Sequence, residues 1–211
     1  MNEPQWTAKV CKLIQDSSIA SLKNIYPERS YKKEFENILR TYFGAVAPKF
    51  MAKPDLIMVF EDDARKIDDY LVVALELKYF DLSDRLDANL RKASREVGQA
   101  LRYYLFGFDS AVLWHTFDER VGDETIVSFS ELIGEVFDKF ELPLVYFSAK
   151  MLPSNSFKVY KPVSVQGNLE WLIRWMHKVS QDRRNPLLRS DIEYQKFIQR
   201  RKALKVVLRV P

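Results

Sequence analysis

Asp55, Glu76 and Lys78 are the residues of this chain whose types and spacing point to chemistry. Glu76 and Lys78 stand two apart near the end of an apolar run, so in a β-strand they share a face. Asp55 follows Pro54 at the head of the preceding apolar run. Two carboxylates brought within a few ångströms repel one another, and at a buried strand end they call for a counter-cation. A hard divalent ion, Mg²⁺ or Mn²⁺, is the natural one, with Asp55, Glu76 and the backbone carbonyl of Leu77 as oxygen ligands. Lys78 on the same face would then stand beside a metal-bound water and a phosphate oxygen, placed to orient the water or to stabilise charge developing on phosphorus.

For these three residues to meet, the two runs must form a hairpin. Setting Asp55 opposite Leu77 in an antiparallel pair puts the turn at residue 66, the middle of the polar segment 61–69. The turn chemistry and the carboxylate positions therefore agree. The strands expected here are Ala45–Met51, Leu56–Phe60 and Leu71–Tyr79. Because Leu71-Val72-Val73-Ala74-Leu75 does not alternate, that strand should be covered on both faces.

Around them the periodicity predicts helices. One spans about 6–24 and stops before Pro27. A second, capped by Ser30, carries the stripe Tyr31, Phe35, Ile38, Leu39 and Tyr42 and ends at Gly44. A third runs from Ser83 to Phe106 with Gly107 as its cap. Further along, Ser110–Phe117 reads as a strand, Thr125–Val127 as a short strand, and Ser130 to Phe140 as a helix. Two more strands are expected at Leu144–Met151 and Ser156–Val163, then a helix at Leu169–Val179 and a basic helix from Ser190. This is one α/β domain over 1–211, with a mixed central sheet flanked by helices, a core at about 30–117 and a C-terminal extension over 118–211.

The composition is that of a folded protein: 47% hydrophobic and 29% charged residues over 211 positions. No apolar run approaches the ~20 residues of a membrane helix, and no signal pattern opens the chain, so an intracellular, cytoplasmic protein is expected. A single cysteine, Cys11, and two histidines, His115 and His177, exclude a Cys/His zinc cluster. The net charge is +4, with nine Lys/Arg and two acids in 183–211, so that tail carries +7 and the rest −3. Arg200, Arg201 and Lys202 on the terminal helix, and Arg95 and Arg102 on the helix after Lys78, are candidates for phosphate-backbone contact. A solvated helix face is the rival reading for Arg95 and Arg102, and simple solubility for the terminal helix. His115 reads as a core histidine, His177 as a surface residue, Trp171 and Trp175 as core or a dimer contact, and Cys11 as a buried small hydrophobe. The acids of 61–69 read as a solvated hairpin tip.

Pro54-Asp55 followed by Glu76-Leu77-Lys78 resembles the two halves of the motif of the PD-(D/E)XK nuclease superfamily, and the helix, strand, strand, strand, helix, strand order of 30–117 is similar to its restriction-endonuclease-like fold. Within it the chain looks like archaeal Holliday-junction-resolvase-like and RecB-like nucleases, and its size is similar to that of small nucleases of archaeal viruses, in which case the location would be the host cytoplasm. The resemblance implies a Mg²⁺- or Mn²⁺-dependent nuclease acting on DNA, often as a homodimer. It also implies an acidic residue on the first helix, for which Glu36 is preferred over Glu34 as the commoner pattern, since both flank the apolar stripe equally. Gln99, with Tyr103 four residues on, matches the family's glutamine in the helix after the lysine and would support the site, with Tyr103 near nucleic acid. A catalytically silent DNA-binding or scaffolding protein with the same fold, or an RNase, are the alternatives. Junction, fork, exonuclease and site-specific substrates are not distinguished.

Overall fold

The computed structural model describes residues 2–47, 53–81 and 96–211. Helix α1 (Glu3–Gln15) is opened by a capping box: Gln5 N–H donates to the Asn2 side chain, and Asn2 N–H to the Gln5 side chain, each at 3.0 Å. It buries Trp6, Val10 and Ile14 as one stripe. The helix expected over 6–24 is cut short, because Leu22–Pro27 forms strand β1. Pro27 ends that strand, and α2 (Glu28–Phe43) follows without a break. Ser30 lies inside this helix, where its hydroxyl donates to the Pro27 carbonyl at 2.7 Å.

Strands β2 (Leu56–Glu61) and β3 (Tyr70–Phe80) form the expected hairpin. Leu56 pairs with Leu75 and Glu61 with Tyr70. The register thus differs by one residue from the expected one and sets Asp55 level with Glu76. The strand expected at Ala45–Met51 is not β2's neighbour. Residues 45–46 form a turn, 48–52 lie outside the described residues, and β1 pairs with β2 instead. After β3 come helix α3 (96–103), a 3-10 turn (Tyr104–Phe106), β4 (Ser110–Phe117), α4 (Asp123–Lys139), β5 (Val145–Met151), β6 (Ser156–Lys161) and β7 (Val165–Asn168). Helices α5 (Leu169–Asp182) and α6 (Asp191–Leu208) close the chain.

Thr125–Val127 is helical, not a strand, and Ser130 is an interior residue of α4. The β-branched run is overruled by the stripe Ile126, Phe129, Ile133 and Phe137, which buries a helix face, and by Asp123 and Glu124 in the first turn, where acids complement the helix dipole. Edge strand β7 was not anticipated. Its Gly167 is set by packing, since a Cβ there would lie 2.7 Å from the Trp171 ring.

Among the described residues seven strands form the sheet and lie in the order of the chain, β1 to β7. The pairs β3–β4 and β4–β5 are parallel and the rest antiparallel, giving a mixed sheet. Strand β3 is covered on both faces as its sequence requires. Leu71, Val73, Leu75 and Leu77 pack with α1 and α5, whereas Val72, Ala74 and Phe80 pack with α2, α3, α4 and α6. Period two therefore turns Glu76 and Lys78 toward the α2/α3 face. Among the described residues no helix is long and apolar enough to cross a membrane.

The basic C-terminal segment is largely tied down. Arg201 is 2% exposed and reaches Asp109 at 2.7 Å, Asp68 at 2.5 Å and the Tyr70 carbonyl at 2.7 Å. It cannot meet a phosphate, contrary to its reading from sequence. Arg200 donates to the Leu105 carbonyl and covers the Phe43 ring, Arg184 is buried against Asp62 at 2.5 Å, and Lys205 pairs with Asp68; Lys202 is exposed. The hairpin acids Asp62 and Asp68 are thereby structural anchors and not a solvated tip. Gly107, in the left-handed conformation as expected for a cap, lets the α6 backbone approach, since a Cβ there would lie 2.5 Å from Arg201 N. Asp109 is fully buried. Removing its cation strands that charge, so Arg201→Leu is expected to lower stability by about 3–5 kcal/mol in urea denaturation. A loss under 1 kcal/mol would show that the network contributes little.

Candidate functional site

The site forms where β2 stops and β3 continues. Beyond Leu56↔Leu75, β3 still pairs with β4 as far as Phe80↔Phe117, but no strand of the described residues pairs with its other side. The amide of Leu77 on that side is satisfied by a side chain, donating to Asp55 Oδ2 at 2.8 Å. Asp55 is itself fixed at both flanks. Glu28 N–H donates to its carbonyl at 3.1 Å, and the buried Tyr31 hydroxyl of α2 donates to the Pro54 carbonyl.

The ammonium of Lys78 gathers three carboxylates. It lies 2.8 Å from Glu76 Oε1, 2.9 Å from Glu3 Oε1 and 3.6 Å from Asp55 Oδ2. From α3, Gln99 Nε2 donates to Glu76 Oε1 at 2.7 Å, and the Tyr103 hydroxyl donates to Glu76 Oε2. Gln99 and Tyr103 act as one unit, with Gln99 Nε2 also 3.2 Å from the Tyr103 oxygen. Tyr103 is completely buried, so it orients Glu76 and does not touch nucleic acid.

Of the acids proposed for the first helix, neither joins this cluster. Glu36 pairs with Lys53 at 2.8 Å, and Glu34 is exposed. The acid that arrives is Glu3, on α1. Sequence reasoning passed over it because an acid in the first turn of a helix is ordinary helix-dipole chemistry, and its partner is 75 residues away. Arg95 lies outside the described residues, and Arg102 is exposed, with Nε donating to the Gly98 carbonyl.

The electrostatics follow from burial. Glu76 is fully buried, and burial together with the Asp55 carboxylate pushes its pKa up to about 7, against the pull of Lys78 and Tyr103. Burial likewise raises Asp55, opposed by Lys78 and by the Leu77 amide. Desolvation alone would lower Lys78, but Glu76 and Asp55 outweigh it and hold the ammonium charged. Three carboxylates facing one ammonium leave a deficit of positive charge. Among the described residues, however, no group of three or more Asp, Glu, His or Cys side chains is placed to hold a metal ion.

Other singled-out residues serve the core. His115 is buried as expected, 3.3 Å from Glu96 and 3.2 Å from the Tyr146 hydroxyl. His177, read as a surface residue, is buried, stacks on Phe60 and has Nε2 2.8 Å from the Glu61 carbonyl. Trp171 and Trp175 pack on each other and against the α1/α5 core. Cys11 is buried, which raises its thiol pKa. Searches of protein-family models, curated proteins and solved structures find no match to this chain.

Glu76 holds a proton in the folded state that an exposed glutamate, at its ordinary value of 4.5, has released. Stability of the metal-free protein should therefore fall as pH rises between about 4.5 and about 7. Glu76→Gln should flatten this fall and raise stability at pH 8 by on the order of 1–3 kcal/mol. Urea denaturation in EDTA across this range checks it; a wild-type stability that rises instead would refute the assignment.

Proposed function

We propose that this chain is a metal-dependent nuclease of the PD-(D/E)XK superfamily, with a restriction-endonuclease-like fold, that hydrolyses DNA phosphodiester bonds. The observation that carries this reading is the convergence of Asp55, Glu76 and Lys78 at the end of β2, with Gln99 bonded to Glu76. The element order supports it. Helix α1, strands β1, β2 and β3, helix α3 and strand β4 follow the family's sequence, with α2 inserted between the first two strands. On that alignment Glu3, and not Glu36 or Glu34, is the acid of the first helix.

The donor types, two carboxylates and a backbone carbonyl, are those Mg²⁺ or Mn²⁺ takes, although no three acidic side chains of the described residues are placed to hold the ion as they stand. The carboxylates are hard oxygens, and Glu76 is pushed up to about 7 first by burial and then by the Asp55 charge, a charge that a bound cation would offset. Asp55, Glu76 and the Leu77 carbonyl would hold the ion, with Glu3 as a further oxygen donor, and the ion would supply Lewis acidity and an activated water. Lys78 would turn from the carboxylates toward the phosphate and stabilise negative charge there. Gln99 and Tyr103 hold Glu76 in one orientation, and Asp55 is held by Leu77 N–H. The protein would act in the cytoplasm, or the host cytoplasm if viral, and homodimerisation would let two strands be cut together.

A catalytically silent DNA-binding or scaffolding protein is the second reading, favoured by Lys78 occupying the space between the acids. Cleavage of DNA oligonucleotides with Mg²⁺ or Mn²⁺, and its loss in EDTA, separates the two. Lys78→Ala and Asp55→Asn should each slow cleavage at least 10²-fold, and Glu3→Gln should weaken metal binding while Glu36→Gln should not. Cleavage that persists in Lys78→Ala would place the chemistry elsewhere. Faster cleavage of an RNA of the same sequence would make the protein an RNase.

A further inference from the structure

Strand β5 begins at Val145, but its pairing with β6 starts only at Ser148↔Lys161. Over Val145–Phe147, β4 lies on one side and no strand of the described residues pairs with the other. A cavity of about 360 Å³ opens there, lined by Val145, by Lys161 at the end of β6, and by residues of α4 and α5. It contains none of Asp55, Glu76, Lys78 or Glu3. Two cations line it. Lys161 runs along α4 at Gly134, where a Cβ would stand 3.1 Å from its Cε and 3.2 Å from its Nζ. Glycine inside a helix costs about 1 kcal/mol against alanine, and here the missing side chain is what makes room for the ammonium. Arg183, just past α5, donates Nη1 to the Leu144 carbonyl at 3.1 Å, which holds the guanidinium beside the open start of β5. Among the described residues neither Lys161 nor Arg183 pairs with a carboxylate. Asp138 is the one acid of the lining, and it is exposed.

The cavity thus presents an ammonium and a guanidinium against one acid, and the group that answers both donors is an oxyanion. Its other walls are not those of a bare-ion site. Phe137 is buried, and Trp175, which packs edge-on against Phe147 at 5.7 Å and on Trp171 at 4.7 Å, also lines the cavity. Aromatic walls favour a flat apolar body through burial and ring contact. The volume stands near the lower end of the ~300–1,000 Å³ of ordinary small-ligand sites, which suits a single ring with its substituent. We propose that this cavity binds a small aromatic anion, its charged oxygens held by Lys161 and Arg183 and its ring against Trp175. The proposal is independent of the nuclease reading.

The test titrates the full chain with phenyl phosphate, benzoate, benzyl alcohol and inorganic phosphate, reading binding by calorimetry. One of the two aromatic anions should bind at least about 10-fold more tightly than benzyl alcohol and than inorganic phosphate, and the tighter of them identifies the anionic group. Lys161→Met and Arg183→Gln should each weaken that binding at least about 10-fold with thermal melting unchanged. Lys161→Arg should retain it, and Asp138→Asn should strengthen it. Should Arg183→Gln lower the melting temperature, Lys161→Met decides the point. Benzyl alcohol binding as tightly as the anions overturns the proposal in favour of a plain apolar cavity. Inorganic phosphate binding as tightly overturns it in favour of a bare-ion site. Failure of both aromatic anions to bind at millimolar concentration, or binding that Lys161→Met leaves unchanged, overturns it outright.

Discussion

The site depends on a mismatch in strand length. β2 begins only at Leu56, opposite Leu75, whereas β3 runs on to Phe80 with β4 still beside it. A strand that outlasts its neighbour exposes backbone amides that need acceptors. At Leu77 the acceptor is the Asp55 carboxylate. One hydrogen bond thereby closes the frayed edge of the sheet and fixes an acid next to Glu76 and Lys78. Had β2 begun two residues earlier, a backbone carbonyl would have taken that role and the acids would have had no open edge to face.

Local patterns made much of this legible. The β2–β3 hairpin was placed within one residue because its polar turn and apolar runs are both short-range signals. Gln99 and Tyr103 came from the family resemblance, and their i, i+4 spacing sets them on one helix face. Glu3 was not, because nothing near it in sequence distinguishes a site acid from a helix-terminal one. Strand β1 was missed for a related reason: Leu22 fits the apolar spacing of the preceding helix, and the partner of 22–27 is β2, which begins 29 residues after Pro27. In α4, a β-branched triplet suggested a strand, yet the buried stripe from Ile126 to Phe137 decided the outcome.

The C-terminal charge shows how composition misleads when burial is unknown. A surplus of +7 over 183–211 reads as a nucleic-acid surface, yet Arg184 and Arg201 are interior side chains held by Asp62, Asp68 and Asp109. These acids sit in the hairpin turn and before β4, so the excess of one region is balanced by the deficit of another. Basic character at the level of the sequence is thus partly internal pairing across the fold. The cations that face the candidate site, Lys12 and Arg29, come from the N-terminal part of the chain.

The strands are laid down in the order in which they pair. A growing chain can therefore add each strand to an edge already present, and the candidate site has all its contributors once α3 is made. Asp109 is different. It is enclosed between Val72 and Arg201, 92 residues ahead of the guanidinium that balances it. Until α6 emerges, Asp109 and Asp68 lack the Arg201 guanidinium and the Gly107 cap its neighbour. Helix α6 is thus what seals a layer whose acids, Asp68 and Asp109, stand far ahead of it in the sequence.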